Sequence, residues 1–155
     1  MIRTCFTLAL TSSLAACIGF IEPLDPEVGD PLFAQCSSVD SDPDTDLSYA
    51  RDIRPIFMGD TASPGCSCHI PTSMDPIGFE QTGLDLSTYD GLRSGGINSL
   101  SATIVEGDPC NSILWQKISP GPPFGARMPF DGPPFLDEST RRRIADWIAE
   151  GARDN

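Results

Sequence analysis

The stretch Gly65-Cys66-Ser67-Cys68-His69 contains the only histidine of the chain and two of its six cysteines. A cysteine followed directly by a histidine is typical of covalent haem attachment, in which a thiol adds to a vinyl group and the imidazole ligates the iron. The usual spacing has two residues between the cysteines, whereas Ser67 alone separates this pair. In a helix, the missing residue moves the first thiol by about 100° around the axis and roughly 1.5 Å along it.

The N-terminus has the pattern of an export signal. Arg3 precedes an apolar run that is too short to span a bilayer, and Leu14-Ala15-Ala16-Cys17 is similar to a bacterial lipobox. We therefore predict a lipoprotein signal peptide over residues 1–16, cleavage before Cys17 and lipidation of its thiol. A plain secretory signal cleaved nearby is the alternative. Either signal predicts an exported protein, periplasmic or at the cell surface, and Ile18 in place of an aspartate agrees with the outer membrane.

Export restricts the chemistry of the cysteines that remain, which are Cys36, Cys66, Cys68 and Cys110. Free thiols seldom persist in an oxidising compartment, so we expect all four to be bonded. Two thioethers to haem and a Cys36–Cys110 disulfide account for them, and so do two disulfides, for which three connectivities exist. Pairing Cys66 with Cys68 across one residue would be strained. A zinc site built from these thiols and His69 is a third interpretation, although C-x-C is not a zinc-knuckle spacing.

Fifteen prolines and fourteen glycines predict short helices joined by long irregular connections. Residues 17–46 are rich in Pro, Asp and Ser, a composition that buries no core, and we expect a flexible tether there. The folded domain is then residues 47–155. Its first helix is predicted from an Asp46 cap to Phe57, divided by Pro55. Residues 70–86 have the composition of a loop.

The second half of the domain contains three further predicted helices. Ser87 is the expected cap of a short helix that stops at Gly95-Gly96. Asp108-Pro109 is expected to open the next helix, which has an apolar face of Ile113, Leu114 and Ile118. The last helix is predicted from an Asp137 cap to Gly151, with Ile144, Trp147 and Ile148 directed inward. Residues 119–134 between them form a Pro/Gly loop centred on Met128-Pro129, and loops of this length are usually functional.

The formal net charge of −12 argues against nucleic acid as a partner, because phosphates require clustered Lys and Arg. It favours a partner with a basic docking patch. The chain also lacks the patterns of hydrolysis or group transfer. Its single histidine is already the candidate metal ligand, and no serine occurs in a nucleophile-elbow motif.

From Asp46 to Asn155 the chain resembles the class I cytochrome c domain, in particular the single-haem domains of exported bacterial proteins. This resemblance covers about two-thirds of the chain, and its matching segments follow the family's order: Asp52-Ile53-Arg54-Pro55-Ile56-Phe57, the Cys-His pair, Gly83-Leu84-Asp85-Leu86, Gly107-Asp108-Pro109, Met128-Pro129 and Asp146-Trp147-Ile148-Ala149-Glu150-Gly151-Ala152. The resemblance implies a mainly α fold in which an N-terminal and a C-terminal helix cross and long Pro/Gly-rich loops wrap around one covalent haem c.

The resemblance also implies roles for individual residues. Cys66 and Cys68 would carry the haem, and His69 and Met128 would be the axial iron ligands; Met58 and Met74 are the other candidates for the second position. A His/Met iron has a raised reduction potential and no open coordination position. This implies an electron carrier between redox proteins rather than an enzyme, in contact with the membrane only through its lipid.

A second interpretation retains the frame without the haem. In that case the chain is a disulfide-stabilised, cytochrome c-like structural or interaction module. The one-residue spacing between Cys66 and Cys68 favours it, whereas the Met128-Pro129 loop favours the haem protein, since a module without iron has little use for a ligand loop.

Overall fold

The computed structural model describes residues 36–37, 41–59 and 65–155. The predicted signal peptide over residues 1–16 and the predicted lipidation at Cys17 lie outside the described residues, as does most of the predicted tether. The described part is mainly helical and contains no strand, which confirms the prediction of a mainly α protein. Its regular helices are α1 (Arg54–Met58), α2 (Ile77–Thr82), α3 (Tyr89–Ser94), α4 (Ile113–Ile118) and α5 (Glu138–Ala149). None of the described helices is long and apolar enough to cross a membrane.

The N-terminal helix begins later than predicted. Ser48, rather than Asp46, is the N-cap: its hydroxyl accepts from the Arg51 amide, and the Asp52 carboxylate accepts from the Ser48 amide at 2.8 Å. Asp46 has a φ of 55°, which is outside the extended backbone that a capping residue needs. A π-helical segment, Tyr49–Ile53, precedes α1. The change from π-helix to α-helix lies beside Pro55, where the helix was predicted to be divided.

The C-terminal helix α5 follows its prediction. The Asp137 carboxylate accepts from the Thr140 amide at 2.8 Å, as an N-cap does. Ile144, Trp147 and Ile148 are fully buried. The N-terminal helical segment packs on this buried face, with the Tyr49 and Trp147 ring centroids 5.6 Å apart. Together, Tyr49–Met58 and α5 form the helical frame of the protein.

The predicted N-cap of α3 is also wrong, because the neighbouring residue takes the role. α3 is capped by Thr88, whose hydroxyl accepts from the Gly91 amide at 3.0 Å. Ser87 instead donates its amide (2.8 Å) and hydroxyl (2.5 Å) to the Asp85 carboxylate. The predicted stop at Gly95 is confirmed, since Gly95 follows the last helical residue with a φ of 70°.

The helix expected from Asp108-Pro109 starts at Ile113, after Ser112. Asp108 closes a turn by accepting from the Asn111 amide at 3.2 Å, so its carboxylate is used before the helix begins. The buried Ser112 hydroxyl donates to the Asp108 carbonyl (2.9 Å) and accepts from the Val105 amide (2.8 Å), which attaches this turn to the preceding chain. The predicted inward residues Leu114 and Ile118 are buried.

Helix α2 lies within residues 70–86, which were predicted to be loop. It is bounded by Pro76 and Gly83, and none of its six residues is fully buried. A helix with no buried stripe leaves no apolar periodicity in the sequence, which is the signal that the prediction required. Shorter 3₁₀ turns occur at Ser67–His69 and Leu100–Thr103.

The described end of the predicted tether is attached to the folded domain. The Asp42 amide donates to the buried Asp146 carboxylate at 2.8 Å. The Glu150 carboxylate accepts from the Thr45 hydroxyl and from the Leu47 amide. Residues 42–47 therefore lie against the C-terminal end of α5.

Candidate cofactor-binding site

The four residues predicted to bind haem and iron line one cavity of about 280 Å³, which is close to the lower end of the range for ligand pockets, about 300–1,000 Å³. One short segment of the chain contributes Cys66, Cys68 and His69, and the 119–134 loop contributes Met128. The rest of the lining comes from α2 and the chain after it, from residues 96–103 and from α4. Apolar side chains dominate it, including Leu84, Leu86, Leu114, Ile118, Phe124 and Phe130.

Backbone hydrogen bonds fix the Cys-His segment on the core. The Cys66 amide donates to the Phe57 carbonyl at the end of α1 (2.9 Å), and the Leu86 amide donates to the His69 carbonyl (3.0 Å). Cys66 precedes the 3₁₀ turn with a non-helical backbone, φ −106° and ψ 32°. Because the chain is not wound as an α-helix at this point, both thiols reach the cavity lining despite the one-residue spacing.

The two pairs of cysteines differ in bonding. Cys36 and Cys110 are joined by a disulfide, so neither is available as a metal ligand, and the four-ligand zinc site loses two of its donors. Cys66 and Cys68 are free thiols. Burial raises the pKa of Cys66 to about 12 and also raises the pKa of Cys68. Both therefore remain protonated at neutral pH, unlike the activated cysteines of thiol enzymes.

His69 is held as a neutral imidazole. Burial lowers its pKa, while a backbone hydrogen bond to Leu84 acts in the opposite direction. The Thr82 hydroxyl lies 3.4 Å from Nδ1 and donates its proton to the Gly78 carbonyl at 2.6 Å. The same hydroxyl accepts from the Leu84 amide at 3.2 Å, so Thr82 connects the Nδ1 side of the imidazole to α2 and to the chain after it.

Among the methionines of the described chain, Met128 alone lines the cavity. It is half-buried and packs against the core, and its amide donates to the Lys117 carbonyl at 2.8 Å. The rival candidates lie elsewhere: Met74 is fully exposed, and Met58, at the end of α1, is not part of the lining. Met128, which the sequence already favoured over Met58 and Met74, is therefore the methionine that lies at the cavity.

Three further residues shape this cavity, and the sequence analysis did not identify them. Thr82 contacts the imidazole, and Lys117 contacts the Met128 loop. A Cβ at Gly78 would lie 3.0 Å from the Cys68 sulfur and 3.0 Å from His69 Cδ2, so α2 packs on the Cys-His turn at this residue. Gly78 and Thr82 are four residues apart on the helix that was not predicted. A signal did exist for Lys117, because it is the chain's only lysine.

The residues of the cavity fit a covalent haem in their chemistry. Two thiols and a neutral imidazole come from one segment, a thioether comes from a separate segment, and the walls are largely apolar. These are the donor types that hold haem iron in cytochromes c, and apolar surroundings raise the reduction potential. No family model, curated protein or solved structure matches this chain.

Proposed function

We propose that the protein is an exported, membrane-tethered monohaem c-type cytochrome that carries single electrons between redox partners. The observation that carries the proposal is the convergence of Cys66, Cys68, His69 and Met128 on one apolar cavity. Met128 is about sixty residues away from the others in sequence, so their meeting depends on the fold and not on a local motif.

Each residue has a distinct role in this proposal. The sulfurs of Cys66 and Cys68 would hold the haem covalently, and Nε2 of His69 and the thioether of Met128 would ligate its iron. The bound iron supplies one-electron oxidation and reduction at a potential that thioether ligation raises. Thr82 orients the imidazole, and the apolar lining keeps water from the metal. An iron ligated by both side chains would leave no open position for a substrate, so the proposed function is electron transfer and not catalysis.

The partner is a redox protein. An acidic chain with a net charge of −12 favours a partner with a basic docking patch, and association is expected to weaken as salt increases. The mature N-terminus would hold the domain at a membrane through a lipid on Cys17, with residues 18–41 as spacer.

The haemless, disulfide-stabilised module remains the second candidate. The short spacing between Cys66 and Cys68 favours it. Against it, a second disulfide would have to join Cys66 to Cys68 across one residue, and the structure has these two as thiols at the cavity.

The first test is the intact mass of the full chain, exported from a host that attaches haem c, with its reduced-minus-oxidised spectrum. We expect the mass of one haem and a sharp α band on reduction, and Cys68→Ala should lower the amount of attached haem. A colourless protein, lighter by four hydrogens than the reduced chain after allowance for the lipid, would reject the cytochrome and support the module.

A paired substitution tests the second axial ligand. Met128→Leu removes the thioether at similar volume, so we expect a lower reduction potential and new binding of carbon monoxide to the ferrous protein. Met74→Leu is the matched control, because Met74 is fully exposed. An unchanged potential in Met128→Leu would show that another residue ligates the iron.

A further inference from the structure

We infer that Lys117 is a positioning residue, which fastens the Met128 loop to α4 and keeps the Met128 thioether at the cavity. Lys117 lies in the last turn of α4 and is the only lysine in the chain. It lines the same cavity as Met128. The inference concerns how the loop is held, and its consequence for the iron rests on the function proposed above.

The side chain of Lys117 holds the loop ahead of Met128. Its Nζ donates to the Phe124 carbonyl at 2.6 Å and to the Ala126 carbonyl. Gly125 separates these two acceptors and has a φ of 58°, a left-handed conformation that favours glycine. A Cβ there would lie 3.6 Å from Nζ. The turn thus directs two carbonyls to one ammonium group.

The backbone of α4 holds the same loop at Met128 itself. The Met128 amide donates to the Lys117 carbonyl at 2.8 Å, and Arg127 Nε donates to the Ile118 carbonyl at 3.1 Å. Carbonyls in the last turn of a helix have no partner within the helix, so the loop supplies the donors they need. Lys117 therefore binds the loop at two points, through its side chain and through its carbonyl.

The environment of the ammonium group indicates that these contacts matter. Lys117 is half-buried, and burial lowers its pKa. Removing an ammonium group from water is costly unless hydrogen bonds replace the lost hydration. The two carbonyls provide them, and the Phe124 ring centroid, 4.9 Å from Nζ, adds a cation–π contact. A lysine with no structural role would instead extend into solvent.

The consequence for the site follows from the order of the loop. Without Nζ the Phe124 and Ala126 carbonyls lose their shared donor, and the chain entering Met128 is held only by the Arg127 and Met128 hydrogen bonds to α4. Met128 would then spend part of its time away from the cavity. The second axial position would open to external ligands while the helical frame stayed folded.

The test compares the full-length protein with Lys117→Met, Lys117→Arg and Arg51→Met. Lys117→Met keeps the length of the side chain and removes its donors, whereas Lys117→Arg keeps donors. Arg51→Met is the matched control, since it also removes one positive charge but lies on an exposed ion pair with Asp52. The first readout is hydrogen exchange at the Met128 amide. The second is carbon monoxide binding to the ferrous haem protein.

For Lys117→Met we expect exchange at Met128 to accelerate roughly tenfold or more, since each lost hydrogen bond contributes about 0.5–1.5 kcal/mol. Carbon monoxide should bind to this variant and not to the parent or Arg51→Met, and Lys117→Arg should recover much of the parent behaviour. If Lys117→Met does not fold, Lys117→Gln replaces it in the same comparison.

Three results would overturn the inference. The first is unchanged exchange at Met128, and the second is equal acceleration at the buried Leu92 and Ile144, which would indicate general destabilisation. The third applies to the haem protein and is faster exchange at Met128 without carbon monoxide binding. The exchange readout applies equally to haem-free protein. A parent chain without haem would therefore reject the proposed function while leaving the role of Lys117 in the loop to be decided by exchange.

Discussion

The helical frame and the Met128 loop, residues 119–134, are stabilised in different ways. The frame buries Ile53, Phe57, Trp147 and other apolar side chains completely. The loop leaves Phe130 74% exposed and is attached to α4 by hydrogen bonds from Lys117, Arg127 and the Met128 amide. Burial of apolar area stabilises the frame, and a few polar contacts set the geometry of the loop.

This difference separates the stability of the protein from the geometry of its site. Each buried apolar side chain of the frame contributes about 1.5–3 kcal/mol, and the loss of one is felt throughout a cooperative domain. A hydrogen bond in the loop contributes about 0.5–1.5 kcal/mol, and its loss is expressed locally. Substitutions in the frame should therefore unfold the protein, whereas substitutions in the loop should alter the candidate site at nearly constant stability.

The largest effect is expected at Trp147. Trp147→Ala removes a fully buried indole that contacts Tyr49, and the free energy of unfolding should fall by about 3–5 kcal/mol. Phe130→Ala, the aromatic control in the loop, should change it by less than about 0.5 kcal/mol. Denaturant unfolding followed by circular dichroism measures both. Similar losses in the two variants would contradict the division into frame and loop.

Gly78 tests the contact between α2 and the Cys-His turn. Gly78→Ala places a methyl group 3.0 Å from the Cys68 sulfur and from His69 Cδ2. Overpacking of this kind costs about 1–3 kcal/mol, whereas the higher helix propensity of alanine contributes about 1 kcal/mol in the opposite direction. We expect a small net loss of stability and a clear loss of attached haem, measured by intact mass. Glu80→Ala is the control, on an exposed position of the same helix. Full haem attachment in Gly78→Ala would show that the turn adjusts freely.

Much of the frame could be predicted from the sequence, because a helix held by apolar burial needs apolar residues at helical spacing. The buried stripe of α5, its Asp137 cap and the stop at Gly95 were all predicted from residue type and spacing. Helix α2 was missed because it has no buried residue. The predicted caps at Asp46, Ser87 and Asp108 were wrong because several capping residues compete nearby, and contacts such as Val105 to Ser112 decide between them.

The residues of the candidate site also divide into those that the sequence indicated and those that only the fold revealed. Cys66, Cys68, His69 and Met128 have distinctive side chains or neighbours, so the sequence alone nominated them, and their common cavity became visible only in the fold. Thr82 and Gly78 depend on the packing of a helix that was not predicted. Lys117 acts on backbone carbonyls, which every residue possesses, so no pattern of side chains marks its partners.

A smaller effect is expected where the chain before the frame meets α5. Glu150→Ala removes the acceptor of the Thr45 hydroxyl and the Leu47 amide, so we expect a loss of about 1 kcal/mol and faster hydrogen exchange at Leu47. Glu138→Ala is the control at the other end of α5, where an exposed ion pair with Arg142 contributes only about 0.3–0.5 kcal/mol to stability. If exchange at Leu47 does not respond to Glu150→Ala, the segment 42–47 is held by Asp146 and the disulfide alone.

The smallest effect concerns the polar start of α5 and depends on pH. Hydrogen bonds from the Ser139 hydroxyl and from the Thr140 amide and hydroxyl lower the pKa of Asp137 from 3.8 to about 2. A carboxyl whose pKa is lower in the folded state stabilises the fold above its unfolded value and loses that contribution as pH falls through the folded value.

Asp137→Asn keeps a capping oxygen but does not titrate. The parent should therefore exceed the variant in stability above pH 4 by a margin that shrinks between pH 4 and 2, as measured by urea unfolding across that range. A margin independent of pH would mean that the cap acts through its geometry and not its charge. A margin that shrinks as the pH falls would show that the charge of one carboxylate contributes to the stability of the frame, although apolar burial determines where α5 forms.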